Sequence, residues 1–264
     1  MEKCHCGCGR TKGSTQGIIQ VVGTGPGGLD YLTPAAEKAI LAADVVIGYR
    51  TYLDLIAGLL PGKEVITSSM MQEVERCARA FELAESGRRV VMVSGGDPGI
   101  YAMAGLIYEI AVEKNSTIPI SVIPGLAAVN SCAARLGAPL MHDFATISLS
   151  DLLTPWEVIE KRLHAAASAD FVIALYNPRS KKRTEHIKKA REIIMRYRDG
   201  KTPVGIVSAA MREDEVITLT DLAAMLAADI NMQSTVIIGN STTFTWQGRI
   251  ITPRGYKDKY TLKP

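Results

Sequence analysis

The sequence predicts an α/β protein of two domains, with a mainly parallel sheet in the first domain and a mixed sheet in the second. Short β-rich runs alternate with amphipathic helical stretches along the 264 residues, a pattern typical of α/β folds. The strands of the first half are continuous runs of Val and Ile, which suit strands buried on both faces of a parallel sheet. Strand candidates in the second half follow one another more closely, so we expect some of them to pair antiparallel.

The first half alternates five predicted strands with four helical stretches. The strands are residues 18–23, 44–48, 63–67, 89–94 and 118–123. Apolar residues recur at three- and four-residue spacing in residues 33–43, 69–86, 100–114 and 125–137, which predicts helices there. Thr33 followed by Pro34 is a typical helix start, because threonine caps the first turn and proline fits within it.

The second half supplies five further strands and three helices. The predicted strands are residues 144–149, 170–175, 203–208, 215–219 and 234–239, and the predicted helices are residues 155–167, 180–197 and 220–228. Glycine, proline and polar residues cluster at 137–142, where we place the domain boundary. The prediction is therefore a cysteine-containing tail at 1–16, an N-terminal α/β domain at 17–138 and a C-terminal α/β domain at 139–264.

Composition and charge argue against several classes of protein. Hydrophobic residues make up 47% and charged residues 22% of the chain, as in ordinary globular domains. The formal net charge of +3 is too small to predict a nucleic-acid partner. No apolar run reaches the ~18 residues of a membrane span, and the N-terminus lacks the apolar core of a signal peptide. We therefore expect a soluble, cytoplasmic protein that binds neither nucleic acid nor membrane.

The five cysteines do not have the spacing of a disulfide framework. Cys4, Cys6 and Cys8 crowd the N-terminus, while Cys77 and Cys132 stand alone in helix-like stretches. Thiolates bind zinc, copper(I) or iron–sulfur clusters, but this alternating spacing is tighter than the C-x-x-C of the usual zinc sites. We therefore predict no metal site, and leave Cys4, Cys6 and Cys8 as candidate ligands of a metal or cluster shared with another chain.

A glycine turn follows the first strand. The stretch IIQVVGTGPGGLDYLT, residues 18–33, satisfies GxGxxG at Gly23, Gly25 and Gly28, the fingerprint of dinucleotide-binding folds. The helix signal begins only at residue 33, although the fingerprint requires a helix at its last glycine. The second strand ends in Tyr49-Arg50 rather than in an acidic residue for the ribose. Because Arg50 suits the 2′-phosphate of NADP, an NADP site and a simple tight turn both stay open.

Two further loops of small residues follow predicted strands. Residues 95–99, GGDPG, come directly after the fourth strand, and residues 124–131, PGLAAVNS, come after the fifth. Glycine lets a ligand approach the main chain closely, and Asp97 can accept a hydrogen bond from a ligand hydroxyl or ammonium group. Because the carboxyl ends of parallel strands share one edge of a sheet, we expect one ligand-binding crevice at that edge.

In this order the loops resemble those of the tetrapyrrole methylase family. The resemblance lies in VGTGPGGLDYLT, ADVVIGY, SGGDPGIYA and VIPGLAAVNS, and it covers residues 18–245, nearly the whole chain. Two longer segments, HDFATISLSDLLTPWEVIEKRL at 142–163 and ALYNPRSKKR at 174–183, are similar to the branch of precorrin-3B and cobalt-factor III C17-methyltransferases. The resemblance implies two α/β domains of the tetrapyrrole methylase type, with the cofactor in the cleft between them.

The resemblance implies transfer of a methyl group from S-adenosylmethionine to C17 of precorrin-3B or cobalt-factor III, leaving S-adenosylhomocysteine. That reaction contracts the macrocycle and gives precorrin-4, or its cobalt form, in cobalamin biosynthesis. A homodimer is also implied, because the family is usually dimeric. Carried over by motif, the cofactor-binding residues are Pro26, Gly95, Gly96, Asp97, Ile100, Ala127, Ala128, Tyr176 and Ala210. Ala127-Ala128 departs from the commoner Thr-Ala pair, so a hydroxyl contact is missing there.

Cations and two candidates for proton transfer complete the predicted site. A macrocycle with many carboxylates calls for basic side chains at the cleft rim; the candidates are Arg50, Arg179, Lys181 and Arg183, with Lys182 and Arg212 in addition. A solvated helix start is the alternative interpretation of 179–183. By resemblance, Tyr49 corresponds to a catalytic-position aspartate of uroporphyrinogen III methylases, and His142 suits proton transfer near neutral pH. A purely structural hydrogen-bonding role is the alternative for both residues.

Two other functions stay open on the sequence. An NADP-dependent oxidoreductase would use the Gly23–Gly28 turn and Arg50. A non-catalytic tetrapyrrole-binding protein would keep the fold and bind the macrocycle without methyl transfer. Binding of S-adenosylhomocysteine distinguishes the methyltransferase from the first, and turnover distinguishes it from the second.

Overall fold

The computed structural model describes residues 17–68 and 72–261, which form two five-stranded sheets, one three-stranded sheet and the helices that cover them. The strands are β1 Ile18–Gly23, β2 Val45–Tyr49, β3 Glu64–Ser68, β4 Arg89–Ser94, β5 Ile120–Ile123, β6 Gly137–Ala138, β7 Phe144–Ser148, β8 Val172–Tyr176, β9 Pro203–Ser208, β10 Val216–Asp221, β11 Ser234–Ile238, β12 Phe244–Trp246 and β13 Arg249–Ile251. The α-helices are α1 Pro34–Ala42, α2 Arg50–Asp54, α3 Glu73–Glu85, α4 Met103–Glu113, α5 Ala128–Leu136, α6 Trp156–Ser168, α7 His186–Ile194 and α8 Tyr256–Lys259.

The first sheet is parallel throughout, as predicted. Its strand order is β3-β2-β4-β1-β5, and every neighbouring pair is parallel. In β4, Val90 and Met92 join the core formed with α3 and α4, whereas Val91 and Val93 join the core formed with α1 and α2. Because helices cover both faces, most successive side chains of the inner strands β1, β2 and β4 are buried, which explains their continuous apolar runs.

The second sheet is mixed, which confirms the predicted fold class. Its order is β10-β9-β11-β8-β7. Strands β7 and β8 are parallel, whereas the other neighbours are antiparallel. Helices α6 and α7 pack on one face of this sheet, where they form the largest buried apolar cluster with the strands.

Helix α5 packs on the other face of the second sheet. Its apolar residues Val129, Cys132 and Leu136 share a buried cluster with side chains of β8, β9, β11 and β13. The helix is followed directly by β6, which pairs with β13 in the three-stranded sheet β12-β13-β6. Residues 128–136 therefore lie against the second sheet although they precede the predicted boundary at 138. The domain limits 17–138 and 139–264 stay a prediction.

Two predicted helices differ from the structure. The helix expected at 180–197 is α7, which begins only at His186, because Ser180 and Arg183 close a turn before it: the Ser180 amide donates to the Arg183 carbonyl, and the Arg183 amide donates to Ser180 Oγ, both at 3.0 Å. The helix expected at 220–228 is absent. There the chain stays paired, with the Leu222 amide donating to the Thr202 carbonyl at 3.0 Å, and only a 3-10 turn forms at Met225–Ala227.

None of the helices within the described ranges combines the length and the apolar character that crossing a membrane requires. The longest are α3 and α6, with 13 residues each. A helix of that length rises about 20 Å, against a hydrocarbon core of about 30 Å.

Candidate functional site

The loops after β1 and β4 meet at the carboxyl edge of the first sheet. Gly25 and Gly96 pair through two main-chain hydrogen bonds, with N···O distances of 3.2 Å and 2.8 Å. Thr24 adds to this contact, because its amide and its hydroxyl both donate to the Ser94 carbonyl. The predicted convergence of these two loops is therefore present, and glycines form the contact.

The loop after β5 approaches the same point, and only glycine fits there. A Cβ atom on Gly125 would lie 2.2 Å from the Gly96 carbonyl oxygen. A Cβ atom on Gly23 would lie 2.6 Å from both that oxygen and the Gly125 nitrogen. These distances are far below the 3.4–4 Å of ordinary contact. The three loops are thus packed main chain against main chain, which explains the need for glycine in each.

Asp97 joins two of these loops. Its Oδ2 accepts a hydrogen bond from the Gly125 amide at 3.2 Å, and its Oδ1 accepts one from the Gly99 amide at 2.8 Å. A carboxylate oxygen can accept more than one hydrogen bond, so Asp97 keeps acceptor capacity for a ligand. The side chain therefore holds the loops in place whether or not it also contacts a cofactor.

The predicted residues of the β5 loop lie beside Gly96. A Cβ atom on Gly96 would meet the Ala128 nitrogen at 3.6 Å and Ala127 Cα at 3.9 Å. Ala127 is the N-cap of α5 and makes no side-chain capping hydrogen bond. Val129, in the first turn of α5, donates its amide to the Tyr176 hydroxyl at 2.8 Å. Gly96, Ala127 and Ala128 thus lie together, and β8 contributes Tyr176 next to them.

Tyr176 and Tyr101 connect the two sheets. Their rings pack with centroids 5.1 Å apart, and the Tyr101 hydroxyl donates to the Thr146 carbonyl on β7 at 2.9 Å. Tyr101 has a φ of 51°, which costs a bulky residue energy and is typical of functional loops. Burial raises the pKa of Tyr176 to about 12, so its phenol stays neutral. Ile100, half-exposed, precedes Tyr101 in this loop.

Arg212 makes a second connection between the sheets. Its Nε donates to the Pro26 carbonyl in the turn after β1 at 2.6 Å. Arg212 lies in the loop after β9, two residues beyond the buried Ala210. This contact joins the turn that carries Pro26 to the loop that carries Ala210, and both of these residues are predicted to bind the cofactor. The sequence marked Arg212 only as one of several cations, and the contact with Pro26 has no sequence signal.

Tyr49 lies at the same edge, at the end of β2. Its ring meets the ring of Tyr52 edge-on, with centroids 5.7 Å apart. The Tyr52 ring in turn lies against Gly95, where a Cβ atom would be 2.3 Å from Tyr52 Cε1. Burial raises the pKa of Tyr52, and the nearby charge of Arg212 acts in the opposite direction. Sequence analysis missed Tyr52 because the short helix α2 that carries it was not predicted.

The predicted substrate cations fall into two groups. Arg50, Arg179, Lys181 and Lys182 are exposed. Arg183 is instead largely enclosed and bonded within the chain: its Nη2 donates to the Asn177 carbonyl at 2.9 Å and its Nη1 donates to Ser150 Oγ at 3.3 Å. Asp151 lies 3.9 Å from Arg183 and 3.2 Å from His186 Nε2. Arg183 therefore holds together the two segments that resemble the C17-methyltransferase branch.

His142 is not brought to this edge. It precedes β7, whereas Tyr101 and Tyr176 mark the carboxyl end of β7 and β8, roughly 15–20 Å further along the strand. Its exposed ring accepts a hydrogen bond from the Asp143 amide at 2.9 Å and lines a separate pocket of about 440 Å³ with Arg254. This placement separates His142 from the glycine loops at the carboxyl edge of the first sheet, and its catalytic role stays a prediction.

The predicted thiol ligands Cys4, Cys6 and Cys8 lie outside the described residues. Within residues 17–68 and 72–261, no three His, Cys, Asp or Glu side chains are grouped as metal ligands would be. Cys77 and Cys132 are buried free thiols. Burial raises the pKa of Cys77 to about 12 and that of Cys132 to about 11, so both are protonated at neutral pH.

No helix begins at the last glycine of the turn, and this disagrees with the alternative prediction of a dinucleotide-binding site. After Gly28 the chain forms a 3-10 turn at Leu29–Tyr31, and α1 starts at Pro34. Thr33 caps α1, because its Oγ1 accepts the Ala36 amide at 3.2 Å. The N-terminus of α1 is therefore closed by its own cap and separated from the glycines, so a pyrophosphate would lack the helix N-terminus that the fingerprint supplies.

The sequence matches the model of a known protein family and is similar to several known proteins. Residues 19–226 match the model of the tetrapyrrole (corrin/porphyrin) methylases. The chain is 50% identical over 251 residues to the cobalt-factor III methyltransferase of Priestia megaterium, which covers 94% of this chain but 46% of that protein. It is 47% identical over 239 residues to the probable cobalt-factor III C(17)-methyltransferase of Salmonella typhimurium, covering 90% of this chain and 99% of that protein.

Solved structures show the same fold. The crystal structure of the methyltransferase CobJ superposes with a TM-score of 0.84 at 36% identity, over 90% of this chain and 100% of that one. The uroporphyrin-III C-methyltransferase of Thermus thermophilus, solved with S-adenosyl homocysteine, has a TM-score of 0.67 over 84% of this chain and 92% of that one. At 22% identity the latter shows the fold alone. With the family match over most of its length, the chain belongs to the tetrapyrrole (corrin/porphyrin) methylases.

Proposed function

We propose that this chain is an S-adenosylmethionine-dependent methyltransferase that methylates C17 of precorrin-3B or cobalt-factor III, with ring contraction to precorrin-4 or its cobalt form in cobalamin biosynthesis. The observation that carries the proposal is the meeting of the β1, β4 and β5 loops at Gly25, Gly96 and Gly125, in a chain similar to proteins named cobalt-factor III methyltransferases. One of these relatives is about twice as long as this chain, so the proposal concerns what this chain does by itself.

The residues present fit S-adenosylmethionine. The space between Gly96 and the first turn of α5 is one that a Cβ atom would fill, and its walls are main chain and the small side chains of Ala127 and Ala128. A ligand with an amino-acid group is well matched by such exposed main chain and by the remaining acceptor capacity of Asp97. We assign Pro26, Gly95, Gly96, Asp97, Ile100, Ala127 and Ala128 to the first domain's share of the cofactor site.

Tyr176 and Ala210 are the second domain's share. Tyr176 is fixed from two sides, by the Val129 amide and by the ring of Tyr101. A fixed aromatic ring offers a flat apolar surface to an adenine at little cost in side-chain entropy. Ala210 is buried and has no side-chain atom beyond Cβ. It can therefore form part of the wall of the cofactor site and still leave room for the adenosine.

The work of the protein in this reaction is orientation and exclusion of water. S-adenosylmethionine, when bound, supplies an electrophilic methyl group on a sulfonium. The glycine loops and tyrosines hold the reacting groups, because a carbon nucleophile must be kept at roughly 3–3.5 Å and in line for efficient transfer. This explains why rigid main chain, rather than a row of acids and bases, dominates the edge.

Exposed cations and Tyr49 face the macrocycle in this proposal. Arg50, Arg179 and Lys181 are exposed at the carboxyl edge, where they can pair with the carboxylates of the substrate. Arg183, in contrast, positions the loop that carries Arg179 and Lys181. Tyr49 is the candidate for proton transfer, because its ring is held by Tyr52 at the end of β2.

Binding measurements separate the methyltransferase from the oxidoreductase. We expect titration calorimetry to detect S-adenosylhomocysteine binding and no NADPH binding. The absence of a helix N-terminus at the glycine turn supports this expectation. Binding of NADPH without S-adenosylhomocysteine would contradict the proposal.

Turnover separates the methyltransferase from a carrier. The protein is incubated without oxygen with methyl-labelled S-adenosylmethionine and either metal-free precorrin-3B or cobalt-factor III, and the product mass is read for each. Label in the macrocycle supports the proposal, and the better substrate identifies the pathway. Macrocycle binding with no label transferred from either substrate would support the carrier instead.

Tyr49→Phe tests the role of the Tyr49 hydroxyl. Phenylalanine keeps the edge contact with Tyr52 but cannot transfer a proton. We expect kcat to fall about 100-fold or more, as for lost acid–base catalysis, while the affinity for S-adenosylhomocysteine stays unchanged. Unchanged kcat would leave Tyr49 with a packing role.

Assembly and location complete the proposal. We propose a cytoplasmic homodimer, on the basis of the family resemblance and of relatives named as methyltransferases. Light scattering at micromolar protein concentration tests the dimer, and fractionation of the producing cells tests the location. A monomer at those concentrations would contradict the first expectation.

A further inference from the structure

We propose that Arg212 is a positioning residue for the methyl donor, which fixes the turn after β1 from the opposite domain. The inference rests on the proposed function and adds a residue to its site. Arg212 Nε donates to the Pro26 carbonyl at 2.6 Å, a short bond from a charged donor and therefore a strong one. The donor belongs to the loop after β9, and the acceptor belongs to the glycine turn.

The glycine turn is shaped to receive the arginine stem. A Cβ atom on Gly27 would lie 2.7 Å from Arg212 Cγ and 3.2 Å from Nε. Gly27 also has a φ of 152°, a conformation in which other residues are strained. The absence of a side chain at Gly27 thus lets the methylene groups of Arg212 lie directly on the turn.

The loop that presents Arg212 is held rigidly. Ala209 and Met211 have φ values of 49° and 63°, strained conformations that persist only where the surrounding structure enforces them. The Met211 amide donates to Glu215 Oε2 at 2.7 Å, and Glu215 forms an ion pair with Arg135 of α5 at 2.6 Å. Strained backbone enforced in this way is typical of a site whose side chain must be placed accurately.

Arg212 also acts on the β4 loop. Its charge lies close enough to Tyr52 to oppose the rise in the pKa of that phenol, and the Tyr52 ring lies against Gly95. One side chain therefore touches the Pro26 turn directly and neighbours the ring that covers Gly95. Both are positions assigned to the cofactor.

The competing role for Arg212 is recognition of a substrate carboxylate. The two roles differ in a measurable way. A residue that positions the turn affects the binding of S-adenosylhomocysteine when no tetrapyrrole is present. A residue that only pairs with a carboxylate affects the KM of the tetrapyrrole and leaves S-adenosylhomocysteine binding unchanged.

The test compares wild type, Arg212→Ala, Arg212→Lys and Arg196→Ala by calorimetry with S-adenosylhomocysteine. Arg196 is an exposed arginine at the end of α7, remote from the edge, so its substitution matches the change in charge. We expect Arg212→Ala to weaken binding about 10- to 100-fold, the loss of one charged hydrogen bond. Arg212→Lys should recover part of this affinity, because an ammonium group can donate to the Pro26 carbonyl. Arg196→Ala should bind as wild type does.

A double-mutant cycle distinguishes the proposed contact between Gly27 and Arg212 from a general loss of protein stability. Gly27→Ala pushes on the Arg212 stem, so its effect on binding should shrink when Arg212 is already alanine. Wild-type affinity in a folded Arg212→Ala, or loss confined to the KM of the tetrapyrrole, would overturn the inference. If Arg212→Ala does not fold, wild-type affinity for S-adenosylhomocysteine in a folded Gly27→Ala does so, because that substitution displaces the Arg212 stem from the turn. Wild type that binds no S-adenosylhomocysteine would overturn the proposed function itself, which is a different result.

Discussion

Replacing Gly125 with alanine tests whether the three loops are packed as tightly as the structure has them. Gly125 has no positive φ, so alanine is compatible with its backbone and only the space around it matters. The new Cβ atom would lie 2.2 Å from the Gly96 carbonyl oxygen and 2.8 Å from the Gly23 carbonyl carbon. Both neighbours are main chain, which cannot rotate aside as a side chain does.

The magnitude follows from the displacement. Ordinary contact begins at 3.4 Å, so the β4 and β5 loops must part by about 1.2 Å, which stretches the Gly25–Gly96 pairing. Overpacking costs about 1–3 kcal/mol, and a lost hydrogen bond adds about 1 kcal/mol. At roughly 2–4 °C per kcal/mol, we expect the Tm to fall by about 5–15 °C. The same shift moves main-chain groups assigned to the cofactor, and the loss of one or two hydrogen bonds to the ligand, about 1–1.5 kcal/mol each, should weaken S-adenosylhomocysteine binding about 5- to 100-fold.

Gly105→Ala is the matched control. Gly105 lies within α4, has no positive φ, and a Cβ atom there would meet nothing within 4 Å. The same chemical change should therefore stabilise the helix by about 0.5–1 kcal/mol and leave binding unchanged. The assays are thermal unfolding by circular dichroism and calorimetric titration at temperatures where both variants are folded. Gly125→Ala with the Tm and affinity of wild type would refute the close packing of the three loops.

Three further predictions concern single side chains. Burial lowers the pKa of His186 from its ordinary 6.5. Below about pH 6.5 the unfolded chain therefore binds a proton at this residue more readily than the folded chain does. The free energy of unfolding should thus decrease as the pH drops below about 6.5. His186→Gln should flatten the slope of Tm against pH between about 7 and 5, and an unchanged slope would contradict the shift. Cys77 and Cys132, with raised pKa values and buried thiols, should resist iodoacetamide at pH 7.5 until the chain is unfolded, which peptide mass spectrometry checks. Tyr101→Phe keeps the ring but loses the bond to the Thr146 carbonyl, so we expect a loss of about 0.5–1.5 kcal/mol in the free energy of unfolding; a urea titration that matches wild type would count against that contact.

Much of the first sheet could be predicted because its signal is local. Continuous Val and Ile runs predict strands buried on both faces, and the glycine loops after β1, β4 and β5 lie at one edge once the strands are parallel. The convergence of Gly25, Gly96 and Gly125 then follows from strand direction alone. The fold class was predictable for the same reason.

Side-chain contacts between the two five-stranded sheets could not be predicted from the amino-acid sequence. Nothing in the stretch around Arg212 indicates that its Nε meets Pro26, and nothing around Tyr101 indicates Thr146. Such pairs are brought together only by packing of the whole chain. His142 precedes β7 and so lies at the amino end of that strand, away from the glycine loops, and its catalytic role stays a prediction.

Helix limits and short strands were the least predictable elements. The helix predicted at 180–197 begins only at His186, because the turn closed by Ser180 and Arg183 satisfies the preceding main-chain groups in another way. Strand β6 has two residues, too few to show any periodicity. Its pairing partner lies far away in the sequence.

That last pairing has a consequence for synthesis on the ribosome. Gly137 and Ala138, which follow α5, pair with Ile250 and Ile251, and the Thr252 amide donates to the Ala138 carbonyl at 3.1 Å. A nascent chain can complete the parallel sheet early, but the link after α5 has no partner until residues 250–252 have been synthesised, more than 100 residues later. The pairing that follows α5 therefore forms only after the strands of the second sheet have been synthesised.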